Sequence, residues 1–410
     1  MKNMITFIGI LYMGSLFTAF SQTPRALFDS ALRANPALEA LRQEYQVALE
    51  QVPQVSQLPQ PQVGVGAFLS PIETRVGAQR GRLSASQRFP WFGTLEANKT
   101  LALSKAKVSQ GQIAAHELEI YHQIQTAYFN LYELEASRSL TQENITLLTA
   151  LKRIAESRVE SGKTTLAEVL QIDLALQEYR QELNILTLKR RKPLAVINQL
   201  LYRPLETEVS LASDLPFAAL PILEDTLPTT IHPELRIFSQ KQAVAKRSLV
   251  VNTQAGKPTL GIGMDYILID PRSDASPVNN GRDALQIQAQ ISVPIFREKY
   301  RAKQREEQLK IKALESQKAQ VQSLFDSRME QARVDHESAR LKYEHYIQQI
   351  ELTQSAIEIL QIDYSNQGKG FDELLRLERD LLSYELKLVE AVVESHKARA
   401  EIHTYQGIIR

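Results

Sequence analysis

The chain has 410 residues, enough for two or three ordinary domains, and a formal charge of +1, so no strongly charged partner is implied and nucleic acid binding has no basic domain to rest on. It contains no cysteine, which removes disulfides, thiol catalysis and cysteine metal sites. The composition is rich in Leu, Ala, Gln, Glu, Lys and Arg, as long helices demand.

The N-terminus reads as a signal peptide. Lys2 supplies a positive start, Met4 to Phe20 is a short apolar run, and Ala19 and Ser21 fit the small-x-small rule, so cleavage is expected after Ser21. No later segment offers about 20 consecutive apolar residues. The mature chain is therefore expected to be exported without a transmembrane helix, and without a cysteine to carry a lipid anchor. Pro24 to Val52 has helical periodicity, interrupted near Asn35-Pro36 and expected to stop at Pro53. A β-hairpin is predicted over about 61–89: a strand from Gln62 to Leu69, a polar loop containing Pro71 and Gly77, and a strand from Arg80 to Phe89. Past Pro90-Trp91-Phe92-Gly93 the apolar spacing switches to three and four. From Thr94 to Val159 there is no proline and a single glycine, Gly111. This predicts one helix of about 65 residues, on the order of 100 Å long. A turn at Ser161-Gly162-Lys163-Thr164 leads into a return helix over about 165–201, and the proline-rich residues 202–230 read as a connector.

The chain then repeats itself. His232-Pro233-Glu234-Leu235 restates Asn35-Pro36-Ala37-Leu38, and Pro258-Thr259-Leu260-Gly261-Ile262-Gly263 restates Pro61-Gln62-Val63-Gly64-Val65-Gly66, both offset by 197 (233 − 36 and 258 − 61). Pro294-Ile295-Phe296 restates Pro90-Trp91-Phe92 at an offset of 204 (294 − 90). The second repeat, 231–410, thus predicts a helix, a hairpin over about 258–293, a long helix over about 297–365, a turn at Gly368-Lys369-Gly370, and a return helix over about 371–405. Leu285 to Val293 alternates without a break: Leu285, Ile287, Ala289, Ile291 and Val293 face one way, and Gln286, Gln288, Gln290 and Ser292 the other. Apolar toward lipid and polar toward water is the pattern of a membrane barrel strand. Two hairpins supply four strands, too few to close a barrel, and open edges are not tolerated in lipid. Several copies must close it together, with the helices projecting far from the membrane.

In this plan the chain resembles the TolC family of outer-membrane efflux channels along its whole mature length. The resemblance rests on the duplication, the Asn35-Pro36 and His232-Pro233 motifs, the strand exits Arg88 to Gly93 (RFPWFG) and Ser292 to Arg297 (SVPIFR), and the turns at Gly162 and Gly368. It implies a mainly α fold with transmembrane β-structure: a homotrimer whose strands close a twelve-stranded barrel on a periplasmic α-helical tunnel, with residues 202–230 in a mixed equatorial region. It implies a passive exit duct for small molecules or metal cations, docked to a periplasmic adaptor protein and an inner-membrane pump of the RND or ABC type. The Pro, Trp and Gly of the first exit are most similar to the heavy-metal-efflux branch. A secreted coiled-coil scaffold or adhesin without a pore, and an exit duct for type I protein secretion, are the alternatives. Neither a cofactor nor an enzyme activity is expected.

By the same resemblance, acidic residues after the tip turns line the tunnel entrance: Glu168 in the first repeat and Glu373, with its neighbour Asp372, in the second. A ring of carboxylates favours cations; acids in a first helical turn also simply offset the helix dipole. One turn on, the family's second acidic position is Gln171 and Arg376 here, and Arg376 is expected to pair with Asp372. Gly162, Lys163, Gly368 and Lys369 form the tips, where an adaptor docks. Trp91 and Phe92 stand at the strand exit, where an interfacial aromatic belt is expected. The seven histidines stand in no recognised ligand motif and read as surface or packing residues.

Overall fold

The computed structural model describes residues 22–220, 231–367 and 370–409. The expected signal peptide, residues 221–230 of the connector, Gly368 with Lys369, and Arg410 lie outside these. The first repeat comprises α1 (Pro24–Ala34), α2 (Pro36–Ser56), β1 (Gln62–Thr74), β2 (Gly77–Phe89), α3 (Thr94–Glu160), α4 (Leu166–Lys189) and α5 (Arg191–Leu200). The second comprises α6 (Pro233–Ala255), β3 (Thr259–Asp270), β4 (Ala284–Ser292), α7 (Glu298–Gln367) and α8 (Phe371–Tyr405).

Three boundaries differ from the sequence expectation. Helix α2 does not stop at Pro53; it runs to Ser56. The proline forfeits only the bond to the Leu49 carbonyl, in an exposed last turn where water can serve that oxygen. The first hairpin has no polar loop around Pro71, since β1 extends to Thr74 and only Arg75 and Val76 separate it from β2. Pro71 falls within the register shift between Ala67 and Ile72, on an edge strand, where a missing N–H breaks no ladder bond. The return helix of the first repeat divides at Arg190 into α4 and α5, because Pro193 fits only the first turn of a new helix.

The four strands form one antiparallel sheet in the order β1-β2-β3-β4. Phe89 pairs with Leu260 and Ser84 with Asp265, which joins the two hairpins. The register gathers one apolar face: Val63 and Val65, Leu83 and Phe89, Leu260, Ile262, Met264 and Tyr266, Leu285, Ile287 and Ile291, all exposed. The other face is polar or small but for Ile267, which pairs with Arg82 and Ala284. There Asp265 is wholly buried, its Oδ2 accepting from Arg82 Nη2 at 2.5 Å and Gln288 Nε2 at 3.0 Å.

The helices stand four abreast. Next to the sheet the order is α2, α3, α6, α7; at the far end it is α4, α3, α8, α7. Helices α3 and α7, of 67 and 70 residues, run the whole length, about 100 Å at 1.5 Å per residue. Gly111 is where α6 comes closest to α3: a Cβ there meets Gln240 Oε1 at 2.4 Å and Ile237 Cγ1 at 3.0 Å. Two cores divide the length. The central one joins Leu27, Phe28, Leu38, Ile124, Tyr128, Leu131, Ile197 and Val393.

A strap of irregular chain crosses this waist. Ala212 N–H donates to the Tyr128 hydroxyl of α3 at 3.1 Å, and Ala218 N–H to Ser395 Oγ of α8 at 3.0 Å. His396 Nε2 holds the Pro216 carbonyl at 2.8 Å and His336 Nε2 of α7 holds that of Ala218 at 2.6 Å.

The repeated Asn35-Pro36 and His232-Pro233 motifs are helix caps. Asn35 Oδ1 accepts from Ala37 and Leu38 N–H at 2.9 and 3.3 Å, and His232 Nδ1 accepts from Glu234 N–H at 3.2 Å. Each proline supplies the pre-set first turn.

Candidate functional site

At the end farthest from the sheet, apolar residues at spacings of three and four on the two return helices make the second core. Val169, Ile172 and Leu176 of α4 meet Ile145, Leu148 and Ala155 of α3, and Leu374 and Phe371 of α8 meet Ile357 and Tyr364 of α7. Leu375 and Leu382 are buried as well, because α8 packs against both α7 and α3.

The first tip turn closes on Gly162, whose φ of +62° suits a residue without Cβ. Gly162 N–H donates to the Val159 carbonyl at 3.0 Å and Lys163 N–H to that of Arg158 at 2.8 Å. The Lys163 side chain is exposed. The second turn re-enters helix at Gly370, φ +83°.

Glu168 and Glu373 have different surroundings. Glu168 is half-buried, and its Oε2 accepts from the Tyr364 hydroxyl at 3.0 Å. Tyr364 is buried; burial, with the Glu168 carboxylate beside it, pushes its hydroxyl up to about 12. The phenol therefore stays a donor at any physiological pH. Arg158 lies over the Tyr364 ring, 4.9 Å from its centroid, and Nη1 donates to the Tyr364 carbonyl at 2.9 Å. The Phe371 ring lies tilted beside it, 5.7 Å between centroids. This latch ties together the ends of α3, α4, α7 and α8. Glu373 and Asp372 are exposed. Arg376 does not take Asp372 as partner: Nη2 reaches Glu373 at 3.2 Å and Nη1 reaches Asp380 at 3.8 Å. The guanidinium lies between the acids three residues before it and four after it, and Asp372, four before, stays in the first turn of α8, where it offsets the helix dipole.

Tyr364 and Arg158 were not singled out by sequence. The signal that could have found them is a break in the duplication: at the offset of 205 that carries Leu374 to Val169 and Tyr384 to Tyr179, Tyr364 answers to Val159 and Asp363 to Arg158.

At the sheet end, Trp91 is half-buried and Phe92 is 81% exposed, their rings 6.1 Å apart. With Phe89, Leu260 and Ile291 they line a cavity of about 890 Å3 on the apolar side of the sheet. Among the described residues no group of three or more His, Cys, Asp or Glu stands ready to hold a metal ion, and no helix is long and apolar enough to cross a membrane.

Residues 27–201 match the family described as outer membrane efflux protein. No curated protein matches the chain. Among solved structures, the outer-membrane channel OprN aligns with TM-score 0.73 at 17% identity, over 94% of this chain and 89% of that one. VceC from Vibrio cholerae aligns with TM-score 0.72 at 15% identity, over 94% and 96%. The open state of MtrE from Neisseria gonorrhoeae gives 0.69 at 18%, over 94% and 89%. The chain has the TolC-like channel fold. The family match falls on the first repeat, and the shared fold extends over both. In this fold the sheet stands at one end of the helical layer and the latch at the other.

Proposed function

We propose that the chain is the passive exit duct of a tripartite efflux system. Three copies close a twelve-stranded barrel and a ring of helices. A periplasmic adaptor docks on the tip and an inner-membrane pump of the RND or ABC type supplies the energy. The single observation that carries this reading is the sheet: its whole apolar face is exposed, its β1 and β4 edges are unpaired within the chain, and it caps a helical layer about 100 Å long. A soluble scaffold has no use for such a face.

The helical layer supports the same assembly. Its two outermost helices carry exposed apolar residues, Leu166, Leu170 and Leu174 on α4 and Leu352, Ile359 and Ile362 on α7. The Tyr364–Glu168 bond sets the level, so Leu170 lies level with Ile362 and Leu174 with Ile359. Copies related by a rotation without a rise present equal levels to each other. On one side of the tip a groove of about 660 Å3, lined by Leu147, Leu151, Ile154 and Ile362, offers an adaptor apolar purchase.

The tip is closed at rest by the latch and opened when the return helices splay. Cargo is small molecules or metal cations, selected by the pump and screened at the entrance by width and by Glu168 and Glu373. The experiment is single-channel recording in planar bilayers, wild type against Glu168→Gln/Glu373→Gln. The amide at 168 still accepts from Tyr364, so charge is tested apart from the latch. A small cation-selective conductance that loses selectivity in the variant is expected. Unchanged selectivity discards both glutamates as entrance groups, and a water-soluble protein without a pore discards the duct.

A further inference from the structure

The sheet has two unpaired edges, β1 and β4, and in lipid both must find partners. The internal duplication says how. The operation that carries the first repeat onto the second takes β1 to β3 and β2 to β4. It therefore takes the β2–β3 junction inside one chain to a β4–β1 junction between two chains. From the observed register and the duplication offsets, we infer that β4 of one copy pairs antiparallel with β1 of the next, with Val293 opposite Val63, Ile291 opposite Val65, and Gln290 opposite Gly66. This rests on the closed barrel proposed above and fixes its seam.

The arithmetic uses only distances along the chain. Phe89 pairs with Leu260. Adding 204 to the first gives Val293, and subtracting 197 from the second gives Val63. Pro294 then stands just past the seam, as Pro90 stands just past the β2–β3 ladder, where neither proline is asked for an N–H.

The chemistry on both faces agrees. On the outer face every opposed pair is apolar: Val293 with Val63, Ile291 with Val65, Ala289 with Ala67. On the inner face one seam pair sets a glycine against a glutamine, as Gly261 pairs with Gln290 and Gly263 with Gln288 within the chain. The seam puts Gly66 on the other side of Gln290 and Gly64 opposite Ser292. A Cβ built on Gly66 meets nothing within 4 Å in the isolated chain, so the space for a neighbour's glutamine is open.

A slip of one residue is forbidden by parity, since it turns Val63 and Val65 toward water. A slip of two is the real competitor. The two hairpins already differ by that amount: mapping Gln62–Ser86 through both offsets gives Thr259–Gln290, whereas Thr259 pairs with Ser292.

The absence of cysteine makes the test direct. Gly66→Cys is combined in the full chain with Gln290→Cys, Gln288→Cys or Ser292→Cys, and the purified assembly is oxidised and run without reductant. Opposed residues bring their Cα atoms within disulfide range, whereas a slip of two moves them about 7 Å along the strand and out of it. The expected result is covalent trimer from 66/290, formed at least about tenfold faster than from the other two pairs. Preferred cross-linking of 66/288 or 66/292 overturns the register while keeping the barrel. A trimer in detergent that cross-links through none of the pairs overturns the β4–β1 seam itself. A monomeric protein removes the barrel reading with it.

Discussion

Tyr364→Phe is the sharpest perturbation of the tip. It removes one oxygen and leaves the ring beneath Arg158 and against Phe371. What is lost is a single hydrogen bond from a buried phenol to the half-buried Glu168 carboxylate, at 3.0 Å. Hydrogen bonds to charged groups contribute about 1.5–3 kcal/mol. If that bond exists only in the closed tip, its loss shifts the closed-to-open balance of each copy by roughly tenfold to a hundredfold, since about 1.4 kcal/mol is a factor of ten. The assay is open probability and mean conductance in planar bilayers, with the oligomer checked in detergent and the melting temperature recorded. The expected result is a clear rise in open probability with little change in melting temperature. An unchanged conductance from an intact oligomer refutes the latch, and a large fall in stability with no gain in opening assigns the tyrosine to packing alone.

Acid should loosen the waist. His396 and His232 are both held neutral by burial, each pushed down to about 4. His396 has Arg399 Nη2 at 3.3 Å from Nδ1, so a proton there faces another cation, and His232 uses Nδ1 as a cap acceptor. With folded values below the ordinary 6.5, their contribution is complete above pH 6.5 and is lost as pH falls toward 4, at most about 3 kcal/mol for each. Urea melts at pH 7.5, 5.5 and 4.5 should show a falling midpoint, and His396→Gln should flatten part of that slope. Asn35→Ala removes two cap bonds and a buried bond to the Leu200 carbonyl at 3.0 Å; a loss of about 2 kcal/mol is expected in the same denaturation experiment.

Most of the architecture was legible because it is written twice. The alternation from Leu285 to Val293, the unbroken helical spacing after Thr94, and the Pro-anchored repeats each specify local structure, and their repetition specifies the order. What escaped was decided by tertiary context. Pro71 reads as a loop until its strand is known to be an edge, and Pro53 reads as a stop until the exposed end of α2 is seen. Arg376 had three acids within a turn of it, Asp372, Glu373 and Asp380, and spacing alone could not choose among them. Of the tip, Glu168 could be picked from its place after a turn. Tyr364, 196 residues away in sequence, could not, because nothing local links two hairpin ends that meet only after folding.

The strap across the waist has a mechanical consequence. It bonds at one level to α3, α7 and α8, the very helices that continue below it to the tip. A lever needs a fulcrum, and in the proposed duct this belt would be one: swings of the lower arms would be taken up by bending near the girdle before they reach the strands above. The proposed seam would then stay sealed and static while the mouth works, and the wall that it pierces would be left undisturbed.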